Sequence, residues 1–352
     1  MRSLQTDGMR MATLKDISRR LNLSVTQVSR ALNGHADVNE ETRQRVMDAA
    51  KALNYHPNLT ARKLVSGRSG VVGFVMTRYS RLASDGFLLE TFAGLSQQFS
   101  ERDMQFVLHI AQEGDRIVEV YRKLNEAGSL DGFVVTEPVR NDPRIAYLTE
   151  SGTPFVVHGR TSAQARYPYF DIDNHQVAYR SARHLVERGH RHIALINGLA
   201  HFSFAIERLE GYRAALAEAG LSYRPDLVRH DRMTEALGLV STIQFFSGEA
   251  PFPTGILCGN TLIAKGVYKA LEMLGRRVPQ DVSVIAHDDV LPDAASPFFR
   301  PELTLTRSSI QDSWAPLAEF LAGAIAGKPV ETQQRVAGFD FVEGESVAAI
   351  PG

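Results

Sequence analysis

Three histidines, one cysteine and two adjacent carboxylates are the side chains that could carry covalent or metal chemistry. His184, His190 and His192 could share a metal ion. They lack the His-Glu-x-x-His spacing that places two imidazoles on one helical face beside an acid. Cys258 ends an apolar run, where packing is the expected role of a thiol. Asp288 and Asp289 could be read as the acid pair of a glycosidase, but the side chains of chain neighbours usually point apart. There is no Gly-x-Ser-x-Gly elbow, no phosphate loop and no Gly-x-Gly-x-x-Gly after the first strand. The expectation is a protein that is not an enzyme, with no catalytic residue, no metal and no cofactor.

Charge points elsewhere. Residues 1–68 hold twelve lysines and arginines against six acids, a balance of +6, which leaves about −7 on the rest of a chain whose net charge is −1. Only the N-terminal part should be attracted to phosphate. With 352 residues, 44% apolar and 22% charged, the chain has globular composition and exceeds one ordinary core. No apolar run reaches the roughly 18 residues of a membrane span. Met1 to Arg10 lacks the apolar stretch of a secretory signal, and one cysteine cannot form an internal disulfide, so the cytoplasm is the expected compartment. Met9 and Met11 are alternative starts, and residues 1–11 read as a disordered extension.

These charges need elements to position them. Thr13 can cap a first helix with Asp16 at the reciprocal capping-box position, while Leu14, Ile17 and Leu21 share one face and Asn22 suits the end. Ser24 caps a second helix with Gln27 three residues on; Val25, Val28, Ala31 and Leu32 supply its apolar positions, and Gly34 stops it. A third helix follows from Glu40 to Leu53. Two short capped helices at this spacing form a helix-turn-helix, whose second member can enter a major groove. From Val71, apolar strands alternate with helices: VVGFVM, Leu88 to Phe99, FVLHI, Ile117 to Ala127, GFVVT, a helix around Ile145, and PFVVH. The rhythm repeats with HIALIN, Glu207 to Ala219, a strand around Val228, Thr234 to Phe246, GILCG, Leu262 to Leu274 and VSVIAH. This predicts two parallel sheets wrapped by helices, with a ligand cleft at the carboxyl ends of the strands between them.

The strings TLKDISRRLNLSVTQVSRALNG and VNEETRQRVMDAAKALNYHPNLTARKLVSGRSG resemble the LacI/GalR family of bacterial repressors from Thr13 to Gly70, and the likeness continues over nearly the whole chain. The resemblance implies an all-α helix-turn-helix domain over 12–57 and a hinge helix and linker over 58–69. It also implies an α/β two-lobed periplasmic-binding-protein-like effector and dimerisation domain over 70–352. It puts Val25, Thr26 and Arg30 at base edges and Thr13, Ser24, Ser29, Asn33 and Asn39 at phosphates. The types suit these roles: Arg30 can donate two parallel bonds to guanine, Thr26 offers a hydroxyl and a methyl, and small hydroxyls and amides match phosphate oxygens. Val25 serves equally well as a core residue. In the hinge, Asn58 to Ser66 is too short to be helical alone; Leu64 would wedge into the minor groove, with Ala61 small enough for close approach.

In the body, the resemblance assigns effector contacts to Arg208, Asn260 and Asp288, a set able to satisfy paired sugar hydroxyls. The chain departs from the family at Thr261, at His287 and at His158 with Gly159, so the pocket is expected to accept a different hydroxyl pattern or a bulkier effector. Phe87, Arg160, Asp171 and Asp173 are further candidates for the cleft wall, the aspartates equally for structural caps. The implied protein is a regulator, a repressor of carbohydrate-utilisation genes. It would bind a palindromic operator as a homodimer, with a tetramer left open, under control of a small sugar; similarity to regulators of α-glucoside use points to that class. A transport receptor would require export, and a sugar-processing enzyme a catalytic constellation. Neither the sense of the response, induction or corepression, nor the operator is legible.

Overall fold

The computed structural model describes residues 12–32, 37–55, 68–77, 86–112, 114–248, 250–290 and 299–350, with only the backbone at 77, 86 and 87. The chain divides into two compact units, Met1–Ser69 and Gly70–Gly352.

The small unit packs α1 (Leu14–Leu21), α2 (Val25–Leu32) and α3 (Glu40–Ala52) around Ile17, Val28, Ala31, Val46, Ala49 and Ala50. Its helix ends follow the sequence signals. The Thr13 N–H donates to Asp16 Oδ2 at 2.9 Å, and Asn22 takes the left-handed conformation (φ 53°) that closes α1. Ser24 and Gln27 bond reciprocally: the Gln27 N–H donates to Ser24 Oγ at 3.1 Å and the Ser24 N–H to Gln27 Oε1 at 3.0 Å. Each box satisfies amides that the first turn of a helix leaves without partners.

The large unit runs β1 (Val71–Thr77), α4 (Gly86–Ser100), β2 (Gln105–Ala111), α5 (Ile117–Glu126), β3 (Gly132–Thr136), α6 (Pro143–Glu150), β4 (Phe155–His158) and β5 (Tyr169–Ile172). It continues with α7 (Asn174–Glu187), β6 (Ile193–Asn197), α8 (Ser203–Glu218), β7 (Val228–His230), α9 (Glu235–Phe246), β8 (Gly255–Cys258), α10 (Thr261–Met273) and β9 (Ser283–Asp288). Last come β10 (Thr304–Arg307), α11 (Trp314–Ile325), β11 (Gln334–Ala337) and β12 (Asp340–Val342). One sheet has the order β11-β5-β4-β3-β1-β2, the other β12-β10-β9-β8-β6-β7; every pairing is parallel except β12 on β10. The chain changes lobe three times: between β5 and α7, between β10 and α11, and between β11 and β12. Central strands such as GFVVT are buried at every position, as strands covered by helices on both faces must be.

Two differences from the sequence reading matter for the cleft. Helix α8 begins at Ser203 rather than Glu207, because its entrance is tied to the other lobe. The Ser203 N–H donates to the Pro138 carbonyl at 2.9 Å, and Phe202 forms a β-bridge with Val139. That contact replaces a side-chain cap. The strands β5, β10, β11 and β12 and the helices α7 and α11 are additional. Helices α7 and α8 cross closely enough that a Cβ on Gly211 would stand 2.1 Å from the His175 carbonyl oxygen.

Candidate functional site

The outer face of α2 carries the groups that the sequence suggested for nucleic acid. Ser24, Val25, Thr26 and Arg30 are exposed, while Val28 and Ala31 are buried against α3. Val25 is 39% exposed and so stands outside the small core. Thr26 and Arg30 lie one turn apart on one side of the helix. Arg30 is ion-paired with Asp37. Asn39 Oδ1 accepts the Thr42 N–H at 2.8 Å as the cap of α3, which leaves the side-chain amide nitrogen as the donor suited to a phosphate oxygen. The Thr13 hydroxyl donates to Asp16 at 2.7 Å, which ties it to the helix start. Ser29 is half-buried. Asn33, Asn58, Ala61 and Leu64 lie outside the described residues, as does the side chain of Phe87.

In the large unit, the strand ends bring together a buried network that crosses the cleft. Arg160, two residues past β4, has its Nε 3.1 Å from Asp171 Oδ2 on β5 and 3.7 Å from Glu207 Oε1 on α8. Asn174 Nδ2 donates to Asp171 Oδ1 at 3.2 Å. Arg208 in turn donates from Nε to Asn174 Oδ1 at 2.9 Å and from Nη1 to the Gly259 carbonyl at 2.6 Å, with its guanidinium over the Phe204 ring. Burial, reinforced by Glu207, pushes the Asp171 carboxyl up to about 7 against the opposing pull of Arg160. Burial also raises Glu207. Two acids therefore face one arginine across the lobes, and one of them titrates near neutrality.

The remaining predicted residues are held by helix caps, hydrogen bonds and ion pairs. Asp173 accepts the Gln176 N–H at 3.0 Å as the cap of α7, and Asn260 accepts the Ile263 N–H at 2.9 Å as the cap of α10. Asp288 accepts the Val290 N–H at 2.9 Å and the Arg307 Nε–H at 3.0 Å. Its neighbour Asp289 takes the inner position, 3.4 Å from His287 Nε2. Burial works against the Asp289 charge, but the bond with His287 and the proximity of Arg208 and His158 hold its carboxyl below the usual range. His287 is wedged between Thr306 Oγ1 (3.0 Å) and Ser308 Oγ (3.2 Å), and burial with the nearby Arg208 pushes its imidazole down. His158, at the end of β4, is pushed down to about 4 by burial against the pull of Asp289, and is neutral near pH 7.

Beside this network lies a cavity of about 320 Å³ at the carboxyl ends of β1 and β3, closed on the other side by His201 and Phe202 before α8. Its wall is apolar at Phe74, Met76 and Leu88 and charged at Glu137, Asp142 and Arg144. Arg144 Nη2 donates to Asp142 and to the carbonyls of Thr136 (3.1 Å) and Glu137 (3.0 Å), holding Glu137 at φ 50°. Sequence reasoning missed Glu137, Asp142 and Arg144, although the Glu-Pro directly after GFVVT sits where strand-end ligands belong. It also missed Asn174 and Glu207, which become neighbours of Arg160 and Arg208 only through the packing of α7 on α8. Of the three histidines, His190 is buried between Thr254 Oγ1 and the Ala348 carbonyl, each at 3.0 Å. Among the described residues no group of three His, Cys, Asp or Glu could hold a metal, and no helix is long and apolar enough to cross a membrane.

A helix-turn-helix unit joined to a two-lobed binding unit with a charged cleft defines a ligand-responsive DNA-binding protein. Comparison with known proteins agrees. Residues 13–58 match the model of bacterial regulatory proteins of the lacI family, and residues 182–347 a periplasmic binding protein-like domain. The chain is 41% identical over 313 residues to the HTH-type transcriptional regulator AglR of Rhizobium meliloti (strain 1021), covering 89% of this chain and 87% of the relative. It is 32% identical to the regulator RafR of Escherichia coli over 80% of this chain and 83% of that one. A solved complex of the transcriptional regulator CelR with cellobiose superposes with a TM-score of 0.69 at 28% identity, covering 95% of this chain and 99% of that one. The lac repressor dimer bound to operator and an anti-inducer shares the fold, with a TM-score of 0.76 at 22% identity, over 97% and 100% of the two chains. The chain belongs to the lacI family of bacterial regulatory proteins and is a DNA-binding transcription regulator.

Proposed function

We propose that this regulator is a cytoplasmic repressor of carbohydrate-utilisation genes. It binds a palindromic operator as a homodimer, with an α-glucoside in the interlobe cleft changing its operator affinity. The observation that carries the effector reading is the cavity of about 320 Å³ between the lobes, which pairs aromatic and aliphatic walls with fixed charged groups. A cavity in this size range, mostly apolar with a few oriented polar groups, is what small-molecule sites require. The pairing suits a sugar, whose ring faces are apolar and whose hydroxyls each need a partner when buried. The choice of α-glucosides rests on the similarity to regulators of α-glucoside use noted in the sequence, and the cellobiose in the CelR complex supports a ligand of disaccharide size.

Val25, Thr26 and Arg30 are the base-edge readers proposed for α2, and Thr13, Ser24, Ser29, Asn33 and Asn39 the phosphate contacts. Leu64, flanked by Asn58 and Ala61, is the minor-groove wedge, on the resemblance alone. Support for a dimer comes from β2, an edge strand that leaves Val107, Leu108 and Ile110 exposed, as is Leu89 on the adjoining α4. An apolar edge of this kind is a surface that a second copy would cover. Two half-sites also give the specificity that one short reading helix lacks.

A thermal-shift screen of maltose, sucrose, trehalose, cellobiose, ribose, sugar phosphates and nucleobases tests the effector class, because a ligand stabilises only the folded state it binds. The expected result is a concentration-dependent rise with one or more of the α-glucosides. Silence across the neutral sugars with a response to a nucleobase or a phosphate overturns it.

A further inference from the structure

We propose that Asp37 is a specificity-determining positioning residue: it holds Arg30 side-on, so that the arginine presents a ready-made two-donor edge to guanine. The proposal rests on the base-reading role given to Arg30 above. Arg30 lies in the last turn of α2, and Asp37 in the segment leading to α3, seven residues on. Their contact has two points, Nη2 to Oδ2 at 2.5 Å and Nε to Oδ1 at 3.3 Å, with side-chain exposures of 47% and 54%. A guanidinium carries five N–H donors in one plane. Gripping it at Nε and at one Nη2 hydrogen leaves the distal pair, on Nη1 and Nη2, parallel and unobstructed by the carboxylate. That distal pair matches the O6 and N7 acceptors of guanine.

The grip has two effects of opposite sign on binding. It removes much of the rotamer freedom of a long side chain before DNA arrives, which favours the cognate base. It also sets a negative charge on a unit whose other charges are mainly positive, close to where phosphates must approach, which disfavours any duplex that does not repay it through Arg30. Asp37 should therefore raise discrimination while lowering sequence-independent affinity. An ion pair this exposed adds little to folding, so variants at Asp37 should fold normally. The bland alternative is that Asp37 merely favours the nearby start of α3 by its charge, in which case stability would change and base preference would not.

The test measures binding of full-length wild type, Asp37→Asn, Arg30→Ala and the double variant by fluorescence anisotropy. The duplexes are a palindrome selected from a randomised pool, its derivatives with each G·C pair of the half-site replaced in turn, and a scrambled control. Asp37→Asn is expected to reduce discrimination about fivefold or more at the pair where Arg30→Ala also loses it, and at no other pair. It should also tighten binding to the scrambled duplex, and in the Arg30→Ala background it should leave discrimination unaltered. Equal tightening on every duplex, or a lowered melting temperature with unchanged discrimination, overturns the proposal while leaving Arg30 as the reader. If Arg30→Ala itself keeps full discrimination at every pair, the reading on which the proposal stands is wrong and the proposal falls with it.

Discussion

Replacing Arg208 by methionine keeps most of the side-chain stem but removes every donor and the charge. Arg208 is 5% exposed, and its two hydrogen bonds end on Asn174 Oδ1 and on the Gly259 carbonyl, one on α7 and the other beside the cap of α10. Each acceptor left buried without a donor costs about 1 to 3 kcal/mol. Relief from burying a guanidinium returns part of that, so a net loss of about 2 to 4 kcal/mol is expected. Arg208→Lys, which keeps the charge but cannot reach both acceptors along one planar group, should lose about half as much. Urea denaturation followed by far-ultraviolet circular dichroism gives the difference, and calorimetric titration with the responding α-glucoside gives the second consequence. Because α8 carries Arg208 and is preceded by His201 and Phe202 in the cavity wall, loosening of that helix should weaken effector binding along with the fold. An unchanged unfolding midpoint for Arg208→Met, with binding alone abolished, would refute the view that Arg208 acts mainly by tying α7, α8 and the β8 end together.

Other consequences follow from the same geometry. The folded carboxyl of Asp171 lies near 7, above its ordinary value of 3.8, so its contribution to stability is full below about pH 4 and is lost as pH rises through about 7. Asp171→Asn, which does not titrate, should fall less in melting temperature than wild type between about pH 5 and about pH 8; parallel profiles would contradict this assignment. Gly211→Ala would force α7 and α8 apart and should cost about 1 to 3 kcal/mol while weakening effector binding; a variant as stable as wild type would mean the helices have room to separate. Val25→Ala should change operator binding while leaving the melting temperature of the small unit within about 3 °C, since Val25 is 39% exposed; a large stability loss would return it to the core.

The legible parts of the sequence were those with a local physical signature. The reciprocal Ser24–Gln27 box, the left-handed Asn22 and the continuous apolar runs of β1, β3 and β9 need no information from beyond their own neighbourhood. By contrast, β11 is four residues, QRVA, with no alternation, and it pairs with β5 more than 160 positions earlier. β12 is three residues, and its partner β10 lies 33 to 37 positions earlier, with α11 and β11 between them. Helix α7 was hidden because its buried face includes Asn174, Ser181 and His184, which do not read as apolar. The site divides the same way. Arg208 was found through its motif, but its dependence on Asn174 arises from the crossing at Gly211. Asp288 and Asp289 were both visible, but not their partners: Asp288 meets Arg307 on β10 and Asp289 meets His287, contacts that only the strand pairing sets.

Coupling of sequence-dependent DNA binding to occupancy of the interlobe cleft is the behaviour expected of this chain. Its most direct test is an anisotropy titration of the full-length protein on a selected palindromic duplex and on a scrambled one, at two salt concentrations, with and without the α-glucoside that raises its melting temperature. The account predicts tight, salt-sensitive binding to the palindrome, weaker binding to the scrambled duplex, and a shift of about tenfold or more in palindrome affinity when the sugar is present. Equal affinity for both duplexes, or a palindrome affinity indifferent to saturating sugar, would contradict it.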